Sequence, residues 1–144
     1  MIFYKNLYFQ VLLIINEFKM KPKLTFTIIG VIMILQSIAY PLFSDSAIDM
    51  MFNVGAEAKT VLTLFQIAVS PMFFMVGLML LLSRNTDLKT AKNLLLAFLI
   101  AYIPAFIGFY NLASSPLTNV GIPDFIPDFI MCGLALFTYL KPKS

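Results

Sequence analysis

Two aspartates in a doubled motif are the side chains of this chain best suited to chemistry. Residues 122–129 read Ile-Pro-Asp-Phe twice, which places Asp124 and Asp128 four residues apart. That spacing puts both carboxylates on one side of a helix, where they could serve as acid and base or attract a cation. Proline and aspartate also suit the first turn of a helix, so the same residues can be interpreted as a solvated helix start.

The length of the last apolar stretch separates these interpretations for Asp128. A helix from Pro127 to Leu140 would rise only about 21 Å, whereas one from Pro123 would rise about 27 Å and nearly cross a hydrocarbon core of about 30 Å. Asp128 would then lie one turn inside the membrane, where an ionisable side chain indicates a functional site. Such a carboxyl group should be protonated, paired with Lys59 or hydrated in a cavity.

Further polar side chains fall at similar depths when residues are counted from the basic ends of the apolar stretches. Polar side chains within a membrane span usually face the bundle interior, so a cavity is expected in the outer half, open to the outside. The expected ligand-binding residues are Asp128, Gln36, Gln66, Ser70, Tyr40, Asn111 and Asp124. Structural alternatives remain, because glutamine and serine often hydrogen-bond between helices and tyrosine suits the membrane interface.

The elements that would position these residues are four long apolar stretches. Of the 144 residues, 60% are hydrophobic and 12% are charged, against roughly 25% charged in soluble domains. A soluble fold of this composition would expose large apolar patches. The chain is therefore expected to be an all-α integral membrane four-helix bundle. Its single membrane domain, 20–144, has spans at about 24–43, 61–82, 94–113 and 123–140.

Basic residues mark one side of these spans. They are Lys19, Lys21, Lys23, Arg84, Lys89, Lys92, Lys141 and Lys143. The opposite side carries Lys59 and several acidic residues. The positive-inside rule therefore predicts that both termini are cytoplasmic and that loops 44–60 and 114–122 face outward. The predicted location is a cell membrane, such as a bacterial inner membrane, with several passes.

The first 19 residues allow two interpretations. Residues 7–15 are apolar but too few to span a bilayer, and no small-residue cleavage site of a signal peptide follows. This segment is predicted to be either an interfacial helix on the inner leaflet or an N-terminal extension from an upstream start codon.

The composition argues against several classes of function. Cys132 is the single cysteine and there is no histidine, which disfavours disulfide, redox and most metal chemistry. No catalytic residue, metal or cofactor is predicted. The net charge of +3 reflects lysines at one membrane face, so the predicted partner is the lipid bilayer and not nucleic acid.

Two short motifs resemble a known group of proteins. They are Phe52-Asn53-Val54-Gly55 in the first outer loop and the glycine-led leucine run from Gly77 to Arg84. Over about residues 20–140 the chain resembles the DoxX-like group of small four-helix bacterial integral membrane proteins. The resemblance implies that fold. It implies no activity, since many members have none assigned, and no catalytic residue is carried over.

Three functions remain open. The first is binding or transport of a small apolar or cationic ligand in the outer-half pocket, with a homo-oligomer as one possible assembly. The alternative is a non-catalytic accessory subunit that contacts another membrane protein through small residues such as Ala101, Ala105 and Gly108. The third is an enzyme acting on a lipid or quinone, which is disfavoured because nothing supplies a nucleophile or a metal.

Overall fold

The computed structural model describes residues 20–143, and this part of the chain is built from α-helices. The two interpretations of residues 1–19 lie outside the described residues. The helices are α1 (Pro22–Leu42), α2 (Ser44–Met51), α3 (Ala56–Leu82), α4 (Leu88–Ala113) and α5 (Ile126–Leu140), with 3₁₀ turns at Ser83–Asn85 and Ile122–Phe125. The described part contains no β-strand, only two isolated β-bridges.

Four of these helices are long and apolar enough to cross a membrane, namely α1, α3, α4 and α5 with its preceding 3₁₀ turn. The prediction of an all-α fold with four such helices is confirmed. Helix α3 begins at Ala56 rather than at residue 61, and α4 begins at Leu88 rather than at residue 94. Hydropathy locates the apolar part of a helix, whereas the helix itself starts where its end is capped.

The start of α4 shows such a cap. The Asp87 carboxylate accepts hydrogen bonds from the backbone N–H groups of Lys89 and Thr90 at 2.9 and 3.0 Å. It also accepts one from the Thr90 hydroxyl at 2.6 Å. The bonds from the Thr90 hydroxyl and backbone, together with that from Lys89, hold the pKa of Asp87 below its usual value. An ionised carboxylate at this position also favours the helix dipole.

Helix α1 lies at the centre of the bundle and crosses α3 at two glycines. A Cβ atom added at Gly30 would lie 2.8 Å from the Gly77 carbonyl oxygen, and one added at Gly77 would lie 2.8 Å from the Gly30 carbonyl oxygen. The two backbones are therefore in direct contact. Glycine allows this because it has no side chain to separate the helices, which is common where membrane helices cross.

Helix α1 also contacts α5, near one end of the bundle. The hydroxyls of Thr25 and Thr138 lie 2.6 Å apart, and both residues are fully buried. At this end Met20 donates a backbone hydrogen bond to Lys141 at 3.4 Å and accepts one from Lys143 at 2.9 Å. The two ends of the described chain therefore meet at the same end of the bundle.

The opposite end is tied together by the loops that follow α2 and α4. The backbone N–H of Asn53 donates to the Leu117 carbonyl at 2.9 Å, and that of Asn119 donates to the Met51 carbonyl at 2.8 Å. Helix α2 was not predicted, because eight residues within a polar stretch give too short a pattern to distinguish a helix from a loop. It places Met51 beside the second loop.

Helices α3 and α4 are consecutive in the chain but make few close contacts with each other. Helix α4 contacts α5 and the 3₁₀ turn before it instead, through stacked rings whose centroids lie 5.2 Å apart for Phe106 and Phe129 and 4.2 Å apart for Phe109 and Phe125. Along one side the bundle is therefore open, and a gap separates α3 from α4.

The glycine crossing gives a first prediction. Replacing Gly77 by alanine should lower the free energy of unfolding by about 1–3 kcal/mol, because the added methyl group meets the backbone of α1. Thermal unfolding of the purified protein in detergent measures this. Gly133→Ala is the matched control, since a Cβ there meets nothing within 4 Å. Equal melting temperatures for the two variants would contradict the close crossing.

Candidate functional site

A cavity of about 390 Å³ lies in the gap between α3 and α4. Its walls also include Met33 and Tyr40 of α1, Met51 of α2 and the start of the last helix. It therefore occupies the half of the bundle away from Met20 and Pro142. The volume falls within the range of about 300–1,000 Å³ typical of small-molecule sites.

Six of the thirteen residues that line the cavity are aromatic. They are Tyr40, Phe73, Phe98, Tyr102, Phe109 and Phe125. Two pairs fix the positions of rings in different parts of the wall. Tyr40 and Phe73 meet edge to face across α1 and α3 with centroids 5.4 Å apart, and Phe98 and Tyr102 are tilted along α4 with centroids 4.8 Å apart.

Asp128 is the charged group set deepest in this aromatic wall. It is half-buried in the first turn of α5, and its Oδ1 accepts a 3.1 Å hydrogen bond from the hydroxyl of Tyr102 on α4. The proposed pairing with Lys59 does not occur, because the Lys59 ammonium lies 2.7 Å from Asp49 Oδ1. Within residues 20–143 no lysine or arginine forms an ion pair with Asp128.

Asp124 lines the same cavity but is exposed and has a structural role as well. Its Oδ2 accepts a 2.7 Å hydrogen bond from the backbone N–H of Gly121. This bond closes the 3₁₀ turn Ile122–Phe125, which extends the last helix toward the loop. The two aspartates of the doubled motif therefore differ: Asp124 holds the start of the turn, and Asp128 faces Tyr102.

Ser70 does not line the cavity. Its hydroxyl donates a 2.8 Å hydrogen bond to the Ile67 carbonyl within α3. In a regular helix that carbonyl would accept from the backbone nitrogen of residue 71. Pro71 has no N–H to donate, so Ser70 satisfies the oxygen that the proline leaves free. This accounts for its buried position without a ligand.

The other three expected residues are distributed around the bundle. Gln66 lines a neighbouring cavity of about 280 Å³, which shares Tyr40 and Phe73 with the first. Asn111 is exposed and lines neither of these cavities. The side-chain oxygen of Gln36 is buried and accepts no hydrogen bond from the described residues. The structure thus brings together Asp128, Asp124 and Tyr40 at the main cavity, with Gln66 beside them.

Tyr102 was missed by the sequence analysis, although α4 carried a signal for it. Phe98, Tyr102, Ala105 and Phe109 follow steps of four, three and four residues, which place them on one face of a helix. All four line the cavity. The contact between Tyr102 and Asp128 depends on how α4 packs against α5, so spacing along one helix could not identify it.

This arrangement offers both apolar and acidic surface to a ligand. Aromatic rings provide apolar surface, and Asp128 and Asp124 provide two acidic groups. Among residues 20–143 there is no group of three or more His, Cys, Asp or Glu side chains that could hold a metal ion. A small ligand that is largely apolar fits such a site.

The hydrogen bond between Tyr102 and Asp128 gives a second prediction. Tyr102→Phe should lower the free energy of unfolding by between about 0.6 and about 1.7 kcal/mol, because it removes a bond between two helices. Detergent unfolding curves measure the effect. Tyr110→Phe serves as the control, since Tyr110 is 68% exposed. A loss no larger than that of the control would mean that the bond contributes nothing to stability.

No family model matches this chain, and no curated protein or solved structure is significantly similar to it. The resemblance to the DoxX-like group therefore stays a prediction based on the two short motifs.

Proposed function

We propose that this chain is a multi-pass membrane protein that binds a small apolar or cationic ligand in the cavity beside Asp128. The four apolar helices support the membrane location. Large hydrophobic side chains such as Leu42, Phe65 and Leu82 are 71%, 67% and 76% exposed. In water such a surface would aggregate, whereas lipid would cover it.

The proposed orientation places both ends in the cytoplasm of a cell membrane, such as a bacterial inner membrane. Its support is the distribution of charge. Lys21, Lys23, Arg84 and Lys143 surround one small cavity at the end where Met20 meets Pro142. Asp45 and Asp49 lie at the other end, beside Lys59. Cytoplasmic ends carry the excess of basic residues in most multi-pass proteins.

The observation that carries the ligand-binding proposal is the aromatic cavity with an acidic group that has no basic partner in the described chain. The alternative, an accessory subunit, relied on an outward face of small residues. Ala101 and Ala105 line the cavity, which supports a ligand at this face, although Ala101 is exposed at its opening and a Cβ added at Gly108 would meet nothing within 4 Å. Membership of the DoxX-like group and assembly into a homo-oligomer are further parts of the proposal, supported by the sequence motifs and by the small volume that four helices enclose.

Labelling of single cysteines tests the orientation. In a Cys132→Ala background, Ser114→Cys should react with a membrane-impermeant maleimide on intact cells, because Ser114 is exposed in the loop predicted to face outward. Asn85→Cys, exposed in the turn between α3 and α4, should react only after the cells are opened. The reverse pattern would contradict the proposed orientation.

Thermal unfolding with a ligand panel tests the binding site. Quinones, lipids, sterols and organic cations are added to the purified protein, and a specific ligand at 100 times its dissociation constant should stabilise it by about 2.7 kcal/mol. Ala101→Phe should abolish that stabilisation by filling the cavity.

The matched control is Ala68→Phe, which adds the same ring at another exposed alanine that lines neither cavity. If wild type, Ala101→Phe and Ala68→Phe respond alike to every compound, the cavity is not a binding site.

A further inference from the structure

We propose that the ligand of this cavity is a hydrophobic organic cation, such as a quaternary or tertiary amine, whose positive group lies between Asp128 and the surrounding aromatic rings. This inference rests on the proposed function and specifies the class of its ligand. It follows from the charges that line the cavity, the geometry of the rings and the side on which the cavity opens.

The charged side chains that line the cavity are both acidic. Asp128 lies within the wall and Asp124 lies at its exposed edge, and no lysine or arginine contributes to the lining. Lys59 is the one lysine of the described chain at this end of the bundle, and its ammonium group forms an ion pair with Asp49 at 2.7 Å. A site with these charges attracts cations and repels anions, and the attraction is stronger in a partly apolar surrounding than in water.

Of the two oxygens of the Asp128 carboxylate, Oδ1 accepts a side-chain hydrogen bond and Oδ2 is available to a ligand. Tyr102 donates to Oδ1 at 3.1 Å, and the described residues give Oδ2 no further side-chain hydrogen bond. The Tyr102 hydroxyl therefore orients the carboxylate without neutralising it. A neutral apolar ligand would displace water from the carboxylate without offering it an opposite charge or a hydrogen bond, which is unfavourable. A cation removes the same water but compensates the charge.

The rings supply the second half of a cation site. The faces of aromatic rings carry negative charge density, so a cation within about 6 Å of a ring centroid is attracted to it. Tyr40 and Phe73 meet edge to face at 5.4 Å, and Phe98 and Tyr102 are inclined by 44°. Rings held at such angles direct their faces differently from one another. Aromatic cages of this kind recognise quaternary ammonium groups in other proteins.

The position of the opening fits a ligand with a hydrophobic body. Ala101 lies halfway along α4, lines the cavity and is exposed, so the cavity opens on the side of the bundle between α3 and α4. In a bilayer this side faces acyl chains as well as the interface. A molecule whose apolar part dissolves in lipid could enter there with its positive group directed to Asp128.

Two probes of the same shape test the inference. Benzyltrimethylammonium and neopentylbenzene differ in having a charged nitrogen or a neutral carbon at the same place. Both are titrated into the full-length protein in an uncharged detergent, and binding is followed by the shift in melting temperature. Wild type should bind the cation at least about tenfold more tightly than the neutral compound.

Two pairs of variants assign the effect to residues. Asp128→Asn keeps an oxygen that can accept from Tyr102 but removes the charge, so it should weaken cation binding about tenfold and should not weaken binding of the neutral compound. Asp49→Asn removes a carboxylate outside this cavity and should change neither. If Asp128→Asn fails to fold, Phe73→Leu, which removes a cavity ring, should weaken only cation binding, with the exposed Phe74→Leu as its control.

The possible failures are distinguishable. Equal affinity of wild type for the two probes, or unchanged cation binding by Asp128→Asn, would overturn the cation inference and leave the proposed cavity site standing. A third outcome is that neither probe binds but another compound of the panel does, and that Ala101→Phe abolishes its binding. The cation inference would then also be wrong, and the proposed cavity site would stand. Absence of binding by any compound would overturn both proposals.

Discussion

The contact between the backbones of α1 and α3 at Gly30 and Gly77 is the constraint on which the rest of the bundle depends. Because the carbonyl oxygen of each glycine lies only 2.8 Å from the position that a Cβ of the other would take, the two helices lie closer than a larger residue permits without a shift. One face of α1 therefore packs against α3. On another face of α1, the hydroxyl of Thr25 is hydrogen-bonded to that of Thr138 on α5. A central α1 follows from these two contacts.

The cavity is a consequence of this central position. With α1 between α3 and α5, helix α4 reaches the bundle chiefly through α5 and the 3₁₀ turn before it, by the stacked rings of Phe109 on Phe125 and Phe106 on Phe129. Nothing within the described chain then fills the space between α3 and α4. Near Met20 the bundle is closed by the contact of Thr25 with Thr138 and by backbone bonds. In the other half large rings pack against one another and leave concave space between them.

The sequence predicted the helices well and the site only partly, for physical reasons. A membrane requires long apolar helices, so hydropathy reveals them, but it does not show where a cap such as Asp87 starts a helix. The length argument began the last helix at Pro123, whereas the α-helix begins at Ile126 after a 3₁₀ turn, so Asp128 lies in its first turn, beside the cavity. Ser70 was predicted to bind the ligand, but it lies outside this cavity and its hydroxyl bonds to the carbonyl left free by Pro71.

The sequence pattern could not predict which residues of different helices contact each other. The spacing of Phe98, Tyr102 and Phe109 defines one face of α4, but nothing in that spacing tells which helix the face meets. The pairing of Tyr102 with Asp128, 26 positions away in the chain, and the crossing of Gly30 with Gly77 both depend on the arrangement of whole helices. A single sequence gives no record of such pairs.

The gap between α3 and α4 affects how the strength of binding should be expressed. A cavity that opens toward acyl chains exchanges its contents with the bilayer, so occupancy follows the mole fraction of ligand in lipid rather than its concentration in water. A compound that partitions strongly would fill the site from a dilute aqueous solution. Its apparent affinity would fall as more lipid is added at constant total ligand, although no contact inside the protein had changed.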